Sequence, residues 1–202
     1  MNTSLLILFA ITFIPAVAMP GPNAAFAVAQ SIKYGHRKAM LAPIGFAAAT
    51  AIHVTLIFSG VGLLLATYSE IFILLKWVGV TYLLYMAFRA FKNTSGMAFV
   101  SDVEVSPLRI FNHSILVSLT NPKAILVGTL VFPLYIDSQA PFVPQAIAIG
   151  LTAMLISFVV YSTYVLCAVS LSSKLKTSKA SNRVVGSIYV GAGLALATVN
   201  NK

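Results

Sequence analysis

Lys123 is the residue whose charge and position most strongly indicate chemistry. It follows Asn121 and Pro122 inside a long apolar stretch, fourteen residues beyond Arg109, or about 21 Å if the helix is unbroken. A lysine at the centre of a membrane helix costs about 2.5–3.5 kcal/mol on insertion scales. We therefore expect its ammonium to bind backbone carbonyls or an anionic group of a ligand. Snorkelling toward a lipid headgroup is the alternative.

Just as Asn121-Pro122 interrupts one apolar stretch, Pro20-Gly21-Pro22-Asn23 interrupts an earlier one. The prolines cannot donate an N–H, so carbonyls near positions 16–18 lose their helical partners. Such groups are tolerated at membrane depth only where they are buried in protein or line a wet cavity. The predicted binding residues therefore lie at the two breaks, and a packed structural kink is the alternative. They are Pro20, Gly21, Pro22, Asn23, Asn121, Pro122 and Lys123, with Asn23 as helix cap or ligand.

His53 lies midway along another apolar stretch. An imidazole changes charge near neutral pH, so His53 is a candidate proton relay, or else a neutral packing residue. The three histidines fall on separate segments without metal-ligand spacing. A glycine-rich phosphate loop ending in Lys-Ser/Thr is also absent. We predict no metal, no cofactor and no catalytic residue.

Composition identifies the environment in which these residues act. Only 8% of the 202 residues are charged, against about 25% in soluble domains, and the mean hydropathy is +0.94. Such a chain is typical of a membrane protein. The net charge of +9 comes from short basic clusters, which disfavours nucleic acid as a partner. The expected partners are the lipid bilayer and a small molecule, and a homo-oligomer is left open.

Six apolar stretches are each close to or above the ~20 residues that span a bilayer. They run over 4–31, 39–67, 71–91, 110–136, 142–171 and 184–200. Open strands are too costly in hydrocarbon, so the predicted fold is an all-α membrane protein of six transmembrane helices. The chain is one domain, 1–202, with a polar linker at about 93–107 between halves of about 1–92 and 108–202.

The basic residues predict orientation. Ten of the thirteen fall at alternate connections between stretches: Lys33, Arg37, Lys38, Arg89, Lys92, Arg109, Lys174, Lys176, Lys179 and Arg183. The positive-inside rule places these connections in the cytoplasm and both termini outside. The N-terminal stretch has no Lys or Arg before Lys33, so we interpret it as a retained helix rather than a signal peptide. The expected location is the bacterial inner membrane, with periplasmic termini.

The two halves resemble each other. Residues 76–82 and 183–189 both begin with a basic residue, continue through Val-Gly and end with Tyr. The two proline breaks share a similar offset of about 100 residues. Because each half has three helices, an odd number, the second half enters the membrane from the side opposite to the first. Inverted repeats with interrupted helices are recurrent in secondary transporters, whose substrates bind between the breaks.

At these motifs the chain resembles the LysE/RhtB family of bacterial amino-acid exporters, homoserine/threonine-type branch. The match rests on Met19-Pro20-Gly21-Pro22 with Gly35-His36-Arg37; Gly45 through His53 to Gly60-Val61-Gly62-Leu63; Lys76-Trp77-Val78-Gly79 through Tyr82-Leu83; and Asn121-Pro122-Lys123-Ala124. It implies proton-driven export of amino acids or derivatives that are homoserine-, threonine-, leucine- or cysteine-like. Lysine and arginine exporters carry an acidic residue on the second helix, where this chain has only His53 as a titratable group, so neutral substrates are favoured.

Three other functions remain open from sequence. A small membrane channel would conduct without saturation. A structural subunit of a membrane complex would pair its midplane polar groups with a partner chain. An intramembrane enzyme would need Ser59 or Ser118 to meet His53. Tyr161 and Tyr164 are either interfacial anchors or cavity lining.

Overall fold

The computed structural model describes residues 3–60, 69–92, 106–174 and 178–198. Across these ranges the chain forms eight α-helices and one 3-10 helix, with no strand. They are α1 (Thr3–Ala18), α2 (Pro22–Ala39), α3 (Leu41–Phe58), α4 (Ser69–Lys92), α5 (Pro107–Leu119), α6 (Pro122–Val131), the 3-10 helix (Phe132–Tyr135), α7 (Phe142–Lys174) and α8 (Ser178–Ala197). The all-α prediction is confirmed.

Two helices within the described ranges, α3 and α7, are each long and apolar enough to cross a bilayer. Two further spans are counted if each bent pair is one span. The pairs are α1 with α2, and α5 with α6 and the 3-10 helix, and each is bent by 61°. The predicted stretches at 4–31 and 110–136 thus correspond to broken helices. The six-span arrangement stays a prediction, and the proposed linker lies almost wholly outside the described residues.

The helices that follow the two breaks, α2 and α6, begin in different ways. At the first, Gly21 is extended (φ −174°) and α2 begins at Pro22 without a side-chain cap. Asn23 therefore does not cap α2, because it already lies inside the first turn. At the second, the Asn121 side chain accepts a hydrogen bond from the Lys123 N–H at 3.1 Å, and Pro122 opens the helix. This is the usual arrangement of an asparagine cap followed by proline.

The basic segment that the sequence predicts as a connection between helices is instead the C-terminal part of α2. Helix α2 continues to Ala39 through Lys33, Arg37 and Lys38. The helical geometry fails at Gly35, whose φ of +76° lies in the region that favours glycine. Met40 then leads directly into α3. The reversal between α2 and α3 is therefore made by a kinked helix end rather than by an extended connection.

The helices form one bundle with an apolar exterior. Helix α3 packs between α5 and α7, α2 packs against α7 and α8, and α4 pairs with α8. Outward-facing leucines such as Leu74, Leu130 and Leu151 are more than 60% exposed. A continuous apolar exterior of this kind is stable in lipid, where it needs no charged cover.

The α3–α5 contact depends on Gly45. A β-carbon built at Gly45 would lie 1.9 Å from the Ser114 hydroxyl oxygen and 2.7 Å from the Phe111 carbonyl oxygen. Helices in membranes approach this closely only through very small residues. Gly45 therefore serves the close packing of α3 against α5.

Gly45→Ala should destabilise the bundle by about 1–3 kcal/mol, because α5 must move away from α3 to admit the methyl group. Thermal unfolding of the purified protein in detergent measures this loss. Gly191→Ala is the matched control: it also replaces a helical glycine, but no atom lies within 4 Å of the new methyl group. Equal stability of the two variants would contradict the packing interpretation.

Candidate functional site

A cavity lies between the two breaks and is walled by both halves of the chain. It contains about 440 Å³ of empty space, counting its open mouth. Its first-half lining consists of Phe13, Ala16, Val17, Asn23, Thr50 and His53. Its second-half lining consists of Ser118, Asn121, Lys123, Ala124, Val127, Phe132, Ser157 and Tyr161.

Side-chain hydrogen bonds tie one break to the other. The Asn121 amide donates to the Asn23 carbonyl oxygen at 3.0 Å, and the Asn23 amide donates to the Ser118 hydroxyl at 3.2 Å. All three side chains are buried. Since Asn121 also caps α6, one amide group both starts a helix and joins the halves.

The carbonyls freed at the first break are bonded by the second half. In an unbroken helix the Ala18 carbonyl would accept from position 22, but Pro22 has no N–H. Instead the Tyr164 hydroxyl donates to the Ala18 carbonyl at 2.6 Å. The Lys123 ammonium donates to the neighbouring Met19 carbonyl. Lysine thus finds a backbone acceptor at the break, one of the two kinds of partner expected from sequence.

His53 differs from its neighbours because one of its polar atoms has no partner. The residue is only 8% exposed and lines the cavity, and its Nε2 makes no hydrogen bond to any residue that the structure describes. One turn earlier, the Thr50 hydroxyl is bonded to the Phe46 carbonyl at 2.9 Å. An unpaired buried polar atom costs about 1–3 kcal/mol, so its retention requires an explanation.

Aromatic side chains close the cavity toward the end at which α1 begins. We call Phe9, Phe13, Phe132 and Tyr135 the aromatic seal. The Phe13 and Phe132 ring centroids are 5.4 Å apart, and Phe9 lies 5.8 Å from Phe132. Tyr135 packs 5.6 Å from Phe9 and donates to the Thr12 hydroxyl at 2.7 Å. The three phenylalanines are at most 5% exposed, so their rings pack against protein rather than against solvent.

The structure brings four predicted site residues to this cavity: Asn23, His53, Asn121 and Lys123. The other four, Pro20, Gly21, Pro22 and Pro122, do not line it and instead shape the breaks. Lys123 lies over Gly21, where an added β-carbon would meet its Cδ at 3.4 Å. Within the described residues, no group of three His, Cys, Asp or Glu side chains could hold a metal ion.

Sequence reasoning did not assign Thr50 and Ser157 to the site, and it left Ser118 and Tyr161 without a settled role. Ser157 and Tyr161 are four residues apart on α7, so they lie on one helix face. Tyr161 also interacts with the Asn23 side chain. Two polar residues one turn apart in an otherwise apolar helix were the sequence signal that could have assigned both to the site. Tyr161 lines the cavity and is not an interfacial anchor.

An apolar helical bundle with two bent helices around a polar central cavity has the features of a membrane transporter. Comparison with known proteins agrees. A family model described as LysE type translocator matches residues 14–200, and the chain belongs to this family. The resemblance noted from the motifs is thereby confirmed.

Several curated relatives cover nearly the whole chain. An uncharacterized membrane protein of Vibrio cholerae is 29% identical over 183 residues, 89% of each chain. A homoserine/homoserine lactone efflux protein of Salmonella typhimurium is 29% identical over 186 residues, 90% of each. A leucine efflux protein of Salmonella choleraesuis is 32% identical over 193 residues, 92% of this chain and 91% of the relative. No solved structure matches the chain.

Asn121→Ala should lower stability by about 1 kcal/mol for the lost cap, and by about 1–3 kcal/mol more because Asn23 loses a buried partner. Asn121→Ser should recover the cap but not the bond to Asn23, so its stability should be intermediate. Thermal unfolding in detergent gives the order. Asn112→Ala, at an exposed asparagine of α5, serves as the control, and a loss as large there would refute the assignment.

Proposed function

We propose that this protein exports a neutral amino acid, or an amino-acid derivative of similar size, from the cytoplasm across the bacterial inner membrane. The observation that carries the proposal is the cavity between the breaks, where a lysine ammonium and a buried amide network converge. The efflux activities named for the relatives support it, since those proteins align over about 90% of the chain.

The charge of the cavity favours a zwitterionic substrate. Among the described lining residues Lys123 is the one lysine or arginine, and none is an aspartate or glutamate. A substrate carboxylate can replace the Met19 carbonyl as the partner of Lys123, gaining a charge-assisted bond. A cationic side chain would find no acidic partner in this lining, which disfavours lysine- or arginine-like substrates.

The remaining site residues take complementary roles in this proposal. Asn23 and Asn121 offer amide groups to the polar ends of the substrate. The backbone at Pro20, Gly21, Pro22 and Pro122 shapes the two breaks and so positions Asn23, Asn121 and Lys123 for the substrate. His53 relays the proton whose downhill entry drives export.

Transport in this proposal proceeds by alternating access of two inverted three-helix halves, about 1–92 and 108–202, around the cavity. The equal 61° bends of the two broken helices support such a repeat. The basic segments lie in the cytoplasm and the termini in the periplasm, as the positive-inside rule predicts. The aromatic seal then closes the periplasmic side, so that the cavity loads from the cytoplasm.

Cells that carry this protein should release a preloaded neutral amino acid faster than cells without it. Cells are loaded with dipeptides that contain neutral or cationic residues, and efflux is followed before and after an uncoupler. We expect saturable release of a neutral amino acid that stops on uncoupling. Release proportional to concentration and unaffected by the uncoupler would instead indicate a channel.

Lys123→Gln should raise the KM for export by about tenfold or more, because a charged hydrogen bond contributes about 1.5–3 kcal/mol. The measurement is initial efflux rate against internal substrate concentration, normalised to the amount of protein in the membrane. Lys92→Gln, the same substitution at an exposed lysine, should keep the wild-type KM. An unchanged KM in Lys123→Gln would remove Lys123 from the binding site.

A further inference from the structure

The unpaired Nε2 of His53 has no function in the hydrogen-bond network that joins the two breaks. Its neighbours are already engaged: Asn23 with Asn121 and Ser118, and Thr50 with a backbone carbonyl. Nε2 is nonetheless buried without a partner in the wall of the cavity. A buried nitrogen without a partner among the described residues is available to a ligand.

We propose that the lone pair of His53 Nε2 binds the substrate ammonium and the coupling proton in turn, so that the two exclude each other. This inference rests on the proposed function and assigns its coupling to one atom. Lys123 attracts the carboxylate of a zwitterion, and the ammonium then needs an acceptor within the same cavity. The carbonyls of Ala18 and Met19 already accept from Tyr164 and Lys123, whereas neutral Nε2 is unoccupied.

Exclusion follows from the chemistry of imidazole. In the neutral ring one nitrogen carries a lone pair, and in the protonated ring both nitrogens are donors. An ammonium group has only hydrogen-bond donors, so it cannot bind protonated Nε2. Protonation also places a positive charge beside the ammonium, and like charges disfavour each other's charged form. Each ligand therefore expels the other.

Within the described part of the chain, the groups that line the cavity with His53 add no compensating negative charge. The titratable or charged residues lining the cavity, apart from His53, are Lys123 from α6 and Tyr161 from α7. The lining residues from α1, α2, α5 and the 3-10 helix are neutral, as are the others from α3 and α7. A proton on His53 would share the cavity with the lysine cation, so the proton-loaded site is electrostatically disfavoured and readily gives up its proton when substrate binds.

Mutual exclusion is what an exchanger requires. When one site holds either ligand but not both, each passage of an amino acid outward is matched by one proton inward. Because coupling between two ligands is reciprocal, the proton lowers the affinity for substrate by the same factor as the substrate lowers the affinity for the proton. The one bond that forms and breaks is Nε2–H: the Nε2 lone pair takes up the proton on one side of the membrane and releases it on the other.

The inference is tested by equilibrium binding of radiolabelled L-homoserine and L-leucine to the purified full chain in detergent. The pH is varied between about 4 and 7.5, a range in which neither amino acid changes charge and in which a buried histidine can titrate. We expect the wild-type affinity for at least one of them to fall with falling pH, approaching tenfold per pH unit. In weak buffer, adding that substrate at low pH should release up to one proton per molecule bound.

His53→Gln keeps an acceptor oxygen but cannot titrate in this range. It should bind substrate with a pH-independent affinity and release no proton. In proteoliposomes it should still exchange labelled for unlabelled substrate but no longer respond to a proton gradient. His113→Gln is the matched control, because His113 contacts Tyr82 outside the cavity and its loss should leave the wild-type pH dependence.

The outcomes separate the two proposals. If the affinity of the wild type does not change with pH, the coupling at His53 is refuted by the wild type alone. A pH dependence of affinity that survives in His53→Gln refutes it as well. Either result leaves the export function intact. If the wild type neither binds nor exchanges any neutral amino acid, the proposed function itself fails. Proton release from His113→Gln that is as low as from His53→Gln would also refute the assignment to Nε2.

Discussion

A backbone carbonyl without a partner costs several kcal/mol in hydrocarbon, and the rest of this structure depends on how that cost is avoided at two breaks. At the first, side chains from the second half, Tyr164 and Lys123, bond the carbonyls of Ala18 and Met19. At the second, Asn121 caps its own helix and also holds Asn23. The first break therefore lacks its main hydrogen-bond partners unless the two halves are together.

The same bonds determine how a ligand can enter. Lys123 already has a backbone partner, so an anionic ligand must exchange with a carbonyl rather than fill an empty position. That exchange releases a backbone group at the first break. Ligand binding is thus linked to the geometry of the α1–α2 junction, because the lysine that would hold the ligand is the one that stabilises the bend. His53 differs, since its Nε2 has no internal bond to give up.

Much of the site follows from local chemistry that sequence displays directly. Proline lacks a donor wherever it occurs, so the breaks at Pro22 and Pro122 could be predicted, as could the need for a partner at Lys123. The kinked continuation of α2 through Gly35 could not, because it depends on one glycine adopting a positive φ. Ser157 could not either: a serine in an apolar helix can bond its own backbone, and only the packing of α7 brings it to the cavity.

The aromatic seal has a consequence for the empty protein. Burying a phenylalanine contributes about 1.5–3 kcal/mol, so wetting two of the rings around Phe132 costs about 3–6 kcal/mol. A gap of that size keeps the conformation open at the α1 end below about 1% of unliganded molecules. In the proposed transport cycle, the apolar packing of these rings would suppress leakage through the bundle, and a bound ligand would supply the energy of each opening.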